Sequence, residues 1–263
     1  MKNILITDEQ IKQYKKGFLL IKNFFDKHEV ISIKNQINRK IKQKKNKNFY
    51  FEKNKNRLIL RRIEKVSDYS KSCRELLESK KLIKVLEQLQ KKKVKLFKDK
   101  LNFKYPGGKG FAPHIDGHFY WKDKNNKIRK GWNVYSKNFI NAVIPLEKSD
   151  KTNGTIKVAS KKYTEKYLGK SWTSITSKLD MWTPNIKKEL IKKFKFKSFL
   201  MNVGDVLFFD WKSAHCSQKN NSKKSRMIFY ATYNNSNNKS QRKKYYSDKN
   251  NSKNSRMLKS LQI

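Results

Sequence analysis

The chain is short of the residues that staple, kink or punctuate a fold: two cysteines, four prolines and nine glycines among 263 residues. With only Cys73 and Cys216, far apart in sequence, a disulfide framework is excluded and reduced thiols are expected. No run of about 18 apolar residues occurs, so the sequence offers no membrane span. The opening MKNILITDEQ is too polar and acidic for a secretory leader, which makes a cytoplasmic location the expectation. Acids are also scarce, 21 Asp and Glu against 65 Lys and Arg, for a formal net charge of +44. Histidine is rarer still, with four.

What is present suffices for one domain spanning residues 1–263, because an aromatic fraction of 13% supplies bulk for a core at this length. The charge invites a nucleic-acid reading, since cations that neutralise phosphates release counterions. Its distribution argues otherwise. Only nine of the basic residues are Arg, and the lysines are spread through every segment beside abundant Asn and Ile, as biased codon usage would leave them. Specific nucleic-acid binding is therefore not expected, although the summed field should draw in small anions.

Residues 1–92 are expected to be mostly helical. Thr7 with Gln10 forms a capping pattern for a helix that stops at Gly17, and the strand FLLI follows. Asp26 with Glu29 repeats the pattern before a helix with Val30, Ile33, Ile37 and Ile41 on one face. Residues 42–56 suggest a loop, Ser67 to Leu89 one or two more helices, and function is not expected in this part. From residue 93 to 234 strands take over: VKLFKDKLNFKY, NFINAVIPL, GTIKVAS, FKSFLMNV, DVLFFDW and RMIFYATYN, the cadence of an antiparallel sandwich or barrel. The polar tail 235–263 is expected to pack poorly.

Two of the four histidines flank an aspartate in FAPHIDGHFYW. In a strand, residues i and i+2 share a face, so His114 and Asp116 would project together while Ile115 turns away. A third ligand is available in His215, 101 positions on and just after the strand GDVLFFD. Two imidazoles and one carboxylate with open positions opposite suit non-haem Fe(II). The same set also suits catalytic zinc, so a hydrolase is a rival reading. Arg226, eleven positions past His215, favours iron, because a guanidinium can clamp a carboxylate with two parallel hydrogen bonds.

The sequence resembles the phytanoyl-CoA dioxygenase family of Fe(II)- and 2-oxoglutarate-dependent oxygenases. The likeness is carried by PGGKGFAPHID, NGTIKV and GDVLFFDWKSAHCSQKNNSKKSR in that order, and it extends from TDEQIKQYKKGFLLIKNFF to MIFYATYNNS. It implies a double-stranded β-helix, a jelly-roll of the cupin kind, mainly β with helices packed outside. It implies His114, Asp116 and His215 as iron ligands and catalytic centre, with 2-oxoglutarate and dioxygen as cosubstrates. By position it places Arg226 on the distal carboxylate of 2-oxoglutarate, with Ser217 and Asn102 as further contacts. Two departures are Ile115, where relatives often carry Gln, and Ala159-Ser160-Lys161 in place of Gly-Ser-His after the NG turn. Because Asp116 is retained, the resemblance implies hydroxylation and not halogenation.

Trp121, Trp132, Tyr135 and Trp211 lie near the ligand segments and are candidates for a substrate wall, with His118 as a substrate contact or a hydrogen-bond partner of the ligands. Residues 122–138 form an insertion where a lid could lie. The closing YATYNNSNNKSQRKKYYSDK resembles a subgroup described as acting on aminoalkylphosphonates. With the lysine-rich surroundings, that points to a small anionic or zwitterionic substrate. The alternatives are an acyl-CoA or natural-product hydroxylase, and a non-catalytic basic nucleic-acid-binding protein on the same fold.

Overall fold

The computed structural model describes residues 6–43, 48–54, 57–123, 125–168, 175–176, 185–235 and 241–251. The first third runs α1 (Asp8–Lys15), β1 (Phe18–Ile21), α2 (Lys27–Gln43), β2 (Phe49–Asn54), β3 (Arg57–Glu64), α3 (Val66–Tyr69), α4 (Lys71–Leu77) and α5 (Lys80–Gln90). Next come β4 (Val94–Lys104), β5 (Phe111–His114), β6 (Tyr120–Lys122), β7 (Ile128–Lys130), β8 (Phe139–Pro145) and β9 (Ile156–Ala159). The remainder is α6 (Lys161–Leu168), β10 (Ile175–Thr176), β11 (Asn185–Ile186), α7 (Lys188–Ile191), β12 (Phe196–Ser198), β13 (Val206–Asp210), β14 (His215–Ser217), β15 (Arg226–Asn235) and α8 (Arg242–Asn251).

Two antiparallel sheets face each other, ordered β1-β13-β8-β15-β4-β3-β2 and β10-β11-β5-β14-β9-β12, with β6 and β7 as a separate hairpin. The strands interleave between sheets, as in a jelly-roll. In the larger sheet the period of two sorts residues between layers. Leu101 and Phe103 of β4, Ala142 and Ile144 of β8, and Phe229 and Ala231 of β15 share one cluster with Val30, Ile33 and Ile37 of α2 and Leu82 and Val85 of α5. Their neighbours Val143, Leu207 and Ile228 face inward against Ile156 and Val158 of the second sheet. The helices therefore roof the outer face, and the site lies between the sheets.

Local signals explain the helix starts. Thr7 accepts from the Gln10 amide while Gln10 reaches back to the Thr7 amide, and Asp26 accepts from the amides of His28 and Glu29. In the first third the departure from expectation is the loop. Within 42–56, β2 pairs with β3, and β1, β2 and β3 all join the larger sheet, because Phe49 and Ile63 supply apolar contacts that the surrounding Lys and Asn obscure. The polar tail also differs from expectation. Its α8 buries Tyr245, Tyr246 and Lys249 against the body, so two aromatics outweigh a polar average. Cys73 and Cys216 are both free thiols, and no helix among the described residues is long and apolar enough to cross a membrane.

Candidate active site

β5 and β14 are neighbours in the smaller sheet, and their register sets His114 directly opposite His215. The two imidazoles lie 4.2 Å apart between ring centres. Strand β5 ends at His114, so Asp116 is delivered by a turn and not by the strand. Gly117 makes that turn with φ +75°, and a Cβ there would lie 2.9 Å from the Trp132 ring. Ile115 is fully buried in a separate apolar cluster with Ala159 and Ile186. One ligand atom from each of His114, Asp116 and His215 falls within 4.8 Å of the others, and His215 Nε2 is 3.9 Å from Asp116 Oδ2.

The charge states suit a cation. His114 Nδ1 lies 2.7 Å from the Ala112 carbonyl and His215 Nδ1 3.1 Å from the Ser213 carbonyl. A carbonyl only accepts, so Nδ1 carries the proton and Nε2 keeps its lone pair. Burial, with the neighbouring His215, pushes His114 down to about 3, and burial also lowers His215, so both rings are neutral at pH 7. Burial alone would raise Asp116, yet Lys98 and Lys100 outweigh it and hold its carboxyl well below the usual range. Two neutral nitrogens and one anionic oxygen are therefore ready for a divalent ion.

A small pocket adjoins His114 and His215, lined also by Lys100, Asn102, Ser217 and Tyr230. Asn102 is buried and its Oδ1 has no hydrogen-bond partner. Ser217 Oγ accepts from Lys104 Nζ at 2.8 Å. Arg226, 1% exposed, stands across the strand register from Lys104 with the Tyr230 hydroxyl beside it. Its Nη1 donates to the Gly154 carbonyl at 2.5 Å, while Nε and Nη2 are buried without a hydrogen-bond partner. Gly154, at φ +74°, is packed so closely that a Cβ would meet the Gln218 carbonyl at 2.3 Å. Buried N–H groups without acceptors are costly, so the guanidinium, next to the Tyr230 that lines the pocket, is suited to an anion.

A model of the family described as phytanoyl-CoA dioxygenase (PhyH) matches residues 14–228. The chain belongs to the phytanoyl-CoA dioxygenase family. It is 27% identical over 187 residues to a 2-aminoethylphosphonate dioxygenase of uncultured bacterium HF130_AEPn_1, covering 71% of this chain and 63% of that protein. It is 24% identical over 184 residues to dioxygenase lolE1 of Epichloe uncinata, covering 70% of this chain and again only 63% of the relative. Methylphosphonate hydroxylase of Gimesia maris matches at 23% over 236 residues, 88% of this chain and 82% of that one. Among solved structures, the epimerase SnoN in complex with Fe3+, alpha ketoglutarate and nogalamycin RO superposes with a TM-score of 0.67 at 14% identity, covering 87% and 83%. EctD from S. alaskensis gives 0.67 at 18% identity, covering 89% and 79%.

In this phytanoyl-CoA dioxygenase family member a second cavity of about 100 Å³ lies on the other side of His114 and Asp116. Its wall includes Arg62, Glu64, Lys98, Trp132, Tyr245 and Lys249. Of the aromatic candidates, Trp132 faces the cavity and carries the Lys98 ammonium 3.9 Å from its ring centre. Trp121, Tyr135 and Trp211 belong to the aromatic cluster behind it, and His118 stacks on Trp211 at 4.9 Å. The insertion forms the β6–β7 hairpin and then returns Trp132 and Tyr135 to the core, residue 124 lying outside the described residues.

Sequence reasoning missed Lys98, Lys100, Lys104, Arg62, Glu64 and Lys249. For the three lysines the signal was available in β4, where Lys98, Lys100, Asn102 and Lys104 alternate with Asp99, Leu101 and Phe103. In a jelly-roll with helices on the outer face, that polar face is the interior. Burial pushes Lys98 down to about 7, Asp116 pulling the other way, and burial together with Arg226 pushes Lys104 down to about 6.

Proposed function

We propose that the protein is an Fe(II)- and 2-oxoglutarate-dependent dioxygenase that hydroxylates a C–H bond of a small polar or anionic molecule, releasing succinate and carbon dioxide. The observation that carries this reading is the convergence of His114, Asp116 and His215, in a fold that also buries the Arg226 guanidinium with unmatched N–H groups next to Tyr230 of the adjoining pocket. The donor set fits ferrous ion: two neutral imidazole nitrogens and a carboxylate, with room for further ligands in the two adjoining pockets. Bound iron and 2-oxoglutarate would together supply the dioxygen activation that no side chain can provide.

The chain's own residues hold and orient. The Ala112 and Ser213 carbonyls fix the imidazole tautomers. Arg226 grips the distal carboxylate of 2-oxoglutarate, with Ser217 and Asn102 lining its pocket. Trp132, Phe119 and Tyr245 keep bulk water from the other side, where the substrate lies. A cavity of about 100 Å³ suits a small substrate over a long acyl chain. Two of the relatives are named for aminoethyl- and methylphosphonate, and an aminoalkylphosphonate-like substrate is the finer form of this reading. The test is succinate release under Fe(II), 2-oxoglutarate and dioxygen across a panel of phosphonates and carboxylates. Substrate-stimulated succinate supports the reading, and uniform absence of stimulation with metal-loaded protein counts against this substrate class.

A further inference from the structure

Most charges around the larger cavity are already matched. Glu64 accepts from Lys249 at 2.5 Å and pairs with Arg62 at 3.3 Å. Asp99 is held by Arg242 at 2.6 Å and by the Ser67 hydroxyl at 2.9 Å. Asp116 belongs to the metal position. That leaves Lys98 and Lys100, both on the cavity wall: neither ammonium makes a hydrogen bond or a close ion pair with a described residue, and the acid that acts most on both is Asp116, whose charge a bound metal ion would take up. Aromatic faces lie beside them, Trp132 for Lys98 at 3.9 Å and Tyr230 for Lys100 at 5.5 Å.

Holding an ammonium half-buried without a hydrogen-bonded anion is costly, and two in one cavity also repel. Strand geometry sets their Cα atoms about 7 Å apart on one face, close enough for both side chains to reach one group. The register of β4 against β15 slips just before Lys98, between the pairs Leu96 with Tyr233 and Lys98 with Thr232. The extra residue, Phe97, turns into the aromatic cluster and Lys98 into the cavity. Bulges of this kind re-aim side chains beside active sites. The ring of Trp132 orients Lys98 without neutralising it.

We propose that Lys98 and Lys100 form the subsite for the anionic headgroup of the substrate, a small organic oxyanion of the phosphonate or carboxylate type, and so select which molecules reach the metal position. This rests on the dioxygenase reading of the same site. 2-Oxoglutarate is itself an oxyanion, and Lys100 borders both pockets whereas Lys98 borders only the larger, so Lys98 separates the two ligands.

The experiment is calorimetry on the full chain loaded with Ni(II) and 2-oxoglutarate, titrated with methylphosphonate and, separately, propionate. Wild type binds at least one of them. Lys98→Met weakens that binding about tenfold or more, the scale of a lost charge-assisted hydrogen bond, while its 2-oxoglutarate affinity stays within about twofold. Lys98→Arg restores binding to within about threefold of wild type, since the charge is kept. In the loaded protein the melting temperature of Lys98→Met is equal to or above wild type, because the metal ion neutralises Asp116 and a half-buried ammonium without an acceptor has been removed. A lysine with a merely structural role would show the reverse, lower stability with unchanged anion affinity. The proposal is overturned if neither anion binds the loaded wild type, or if Lys98→Met binds as wild type does. Failure of wild type to take up Ni(II) and 2-oxoglutarate at all would remove the dioxygenase reading beneath it.

Discussion

His114 and His215 each spend Nδ1 on the carbonyl two residues earlier, a repeated local device that aims both Nε2 atoms at one point. Removing either end of the set should be decisive. His114→Ala and Asp116→Ala are expected to abolish succinate formation while circular dichroism stays native, because the ligand atoms contribute to the site and not to the apolar clusters. Arg226→Lys should weaken 2-oxoglutarate binding by about tenfold or more by calorimetry, since a point charge cannot reproduce two parallel N–H bonds. These residues were legible because His and Arg are rare here, so each occurrence near a strand end carries weight. Lys98, Lys100 and Lys104 were not. In a chain with 65 basic residues one lysine looks like another, and only the three-dimensional sorting of β4 separates interior from solvent. The alternation rule also reached its limit at Asp116, where a turn stands in for the strand, and at His118, which stacks on Trp211 once the strand has ended.

At the level of elements, α8 is the segment that sequence undervalued. Tyr245, Tyr246 and Lys249 close one wall of the larger cavity, Tyr135 donates to Asp248 at 2.9 Å, and Lys249 anchors to Glu64 on β3. Cavity and helix are thus linked through a buried ion pair. Burial alone would raise Glu64, but Lys249 and Arg62 outweigh it and hold the carboxyl at about 2, against an ordinary 4.5. A carboxyl lowered on folding contributes stability that is complete above its unfolded value and is lost as pH falls toward the folded one. Thermal melts between pH 5 and 2 should therefore show a steep loss in wild type and a shallower one in Glu64→Gln. Equal slopes would deny the pair that role. Helix starts at Thr7 and Asp26 and the strands β8, β13 and β15 were legible from caps and apolar runs. β2 was not, because its pairing partner β3 and not its own composition makes it a strand.

Across the whole molecule the net charge of +44 has two components that composition cannot distinguish. Most lysines are solvated surface; a few line the interior, where their cost is justified only by an anion. Binding of duplex DNA is accordingly expected to be weak, indifferent to sequence and steeply reduced between low and physiological salt in a filter or anisotropy assay, the behaviour of backbone attraction alone. An antiparallel sandwich or barrel was legible from the rhythm of strands and turns, and the family, with the jelly-roll it implies, from three spaced blocks. The linkage of residues 57–64 and 242–251 to the site was not, since it depends on contacts between segments far apart in the chain.

The central claim is that His114, Asp116 and His215 gather one ferrous ion next to a 2-oxoglutarate pocket. Anaerobic addition of Fe(II) and 2-oxoglutarate to the metal-free protein tests it most directly. A weak visible charge-transfer band should grow to saturation in wild type and be missing from His215→Ala of native fold. No band in wild type at saturating cosubstrate, or an undiminished band in the variant, would contradict the account.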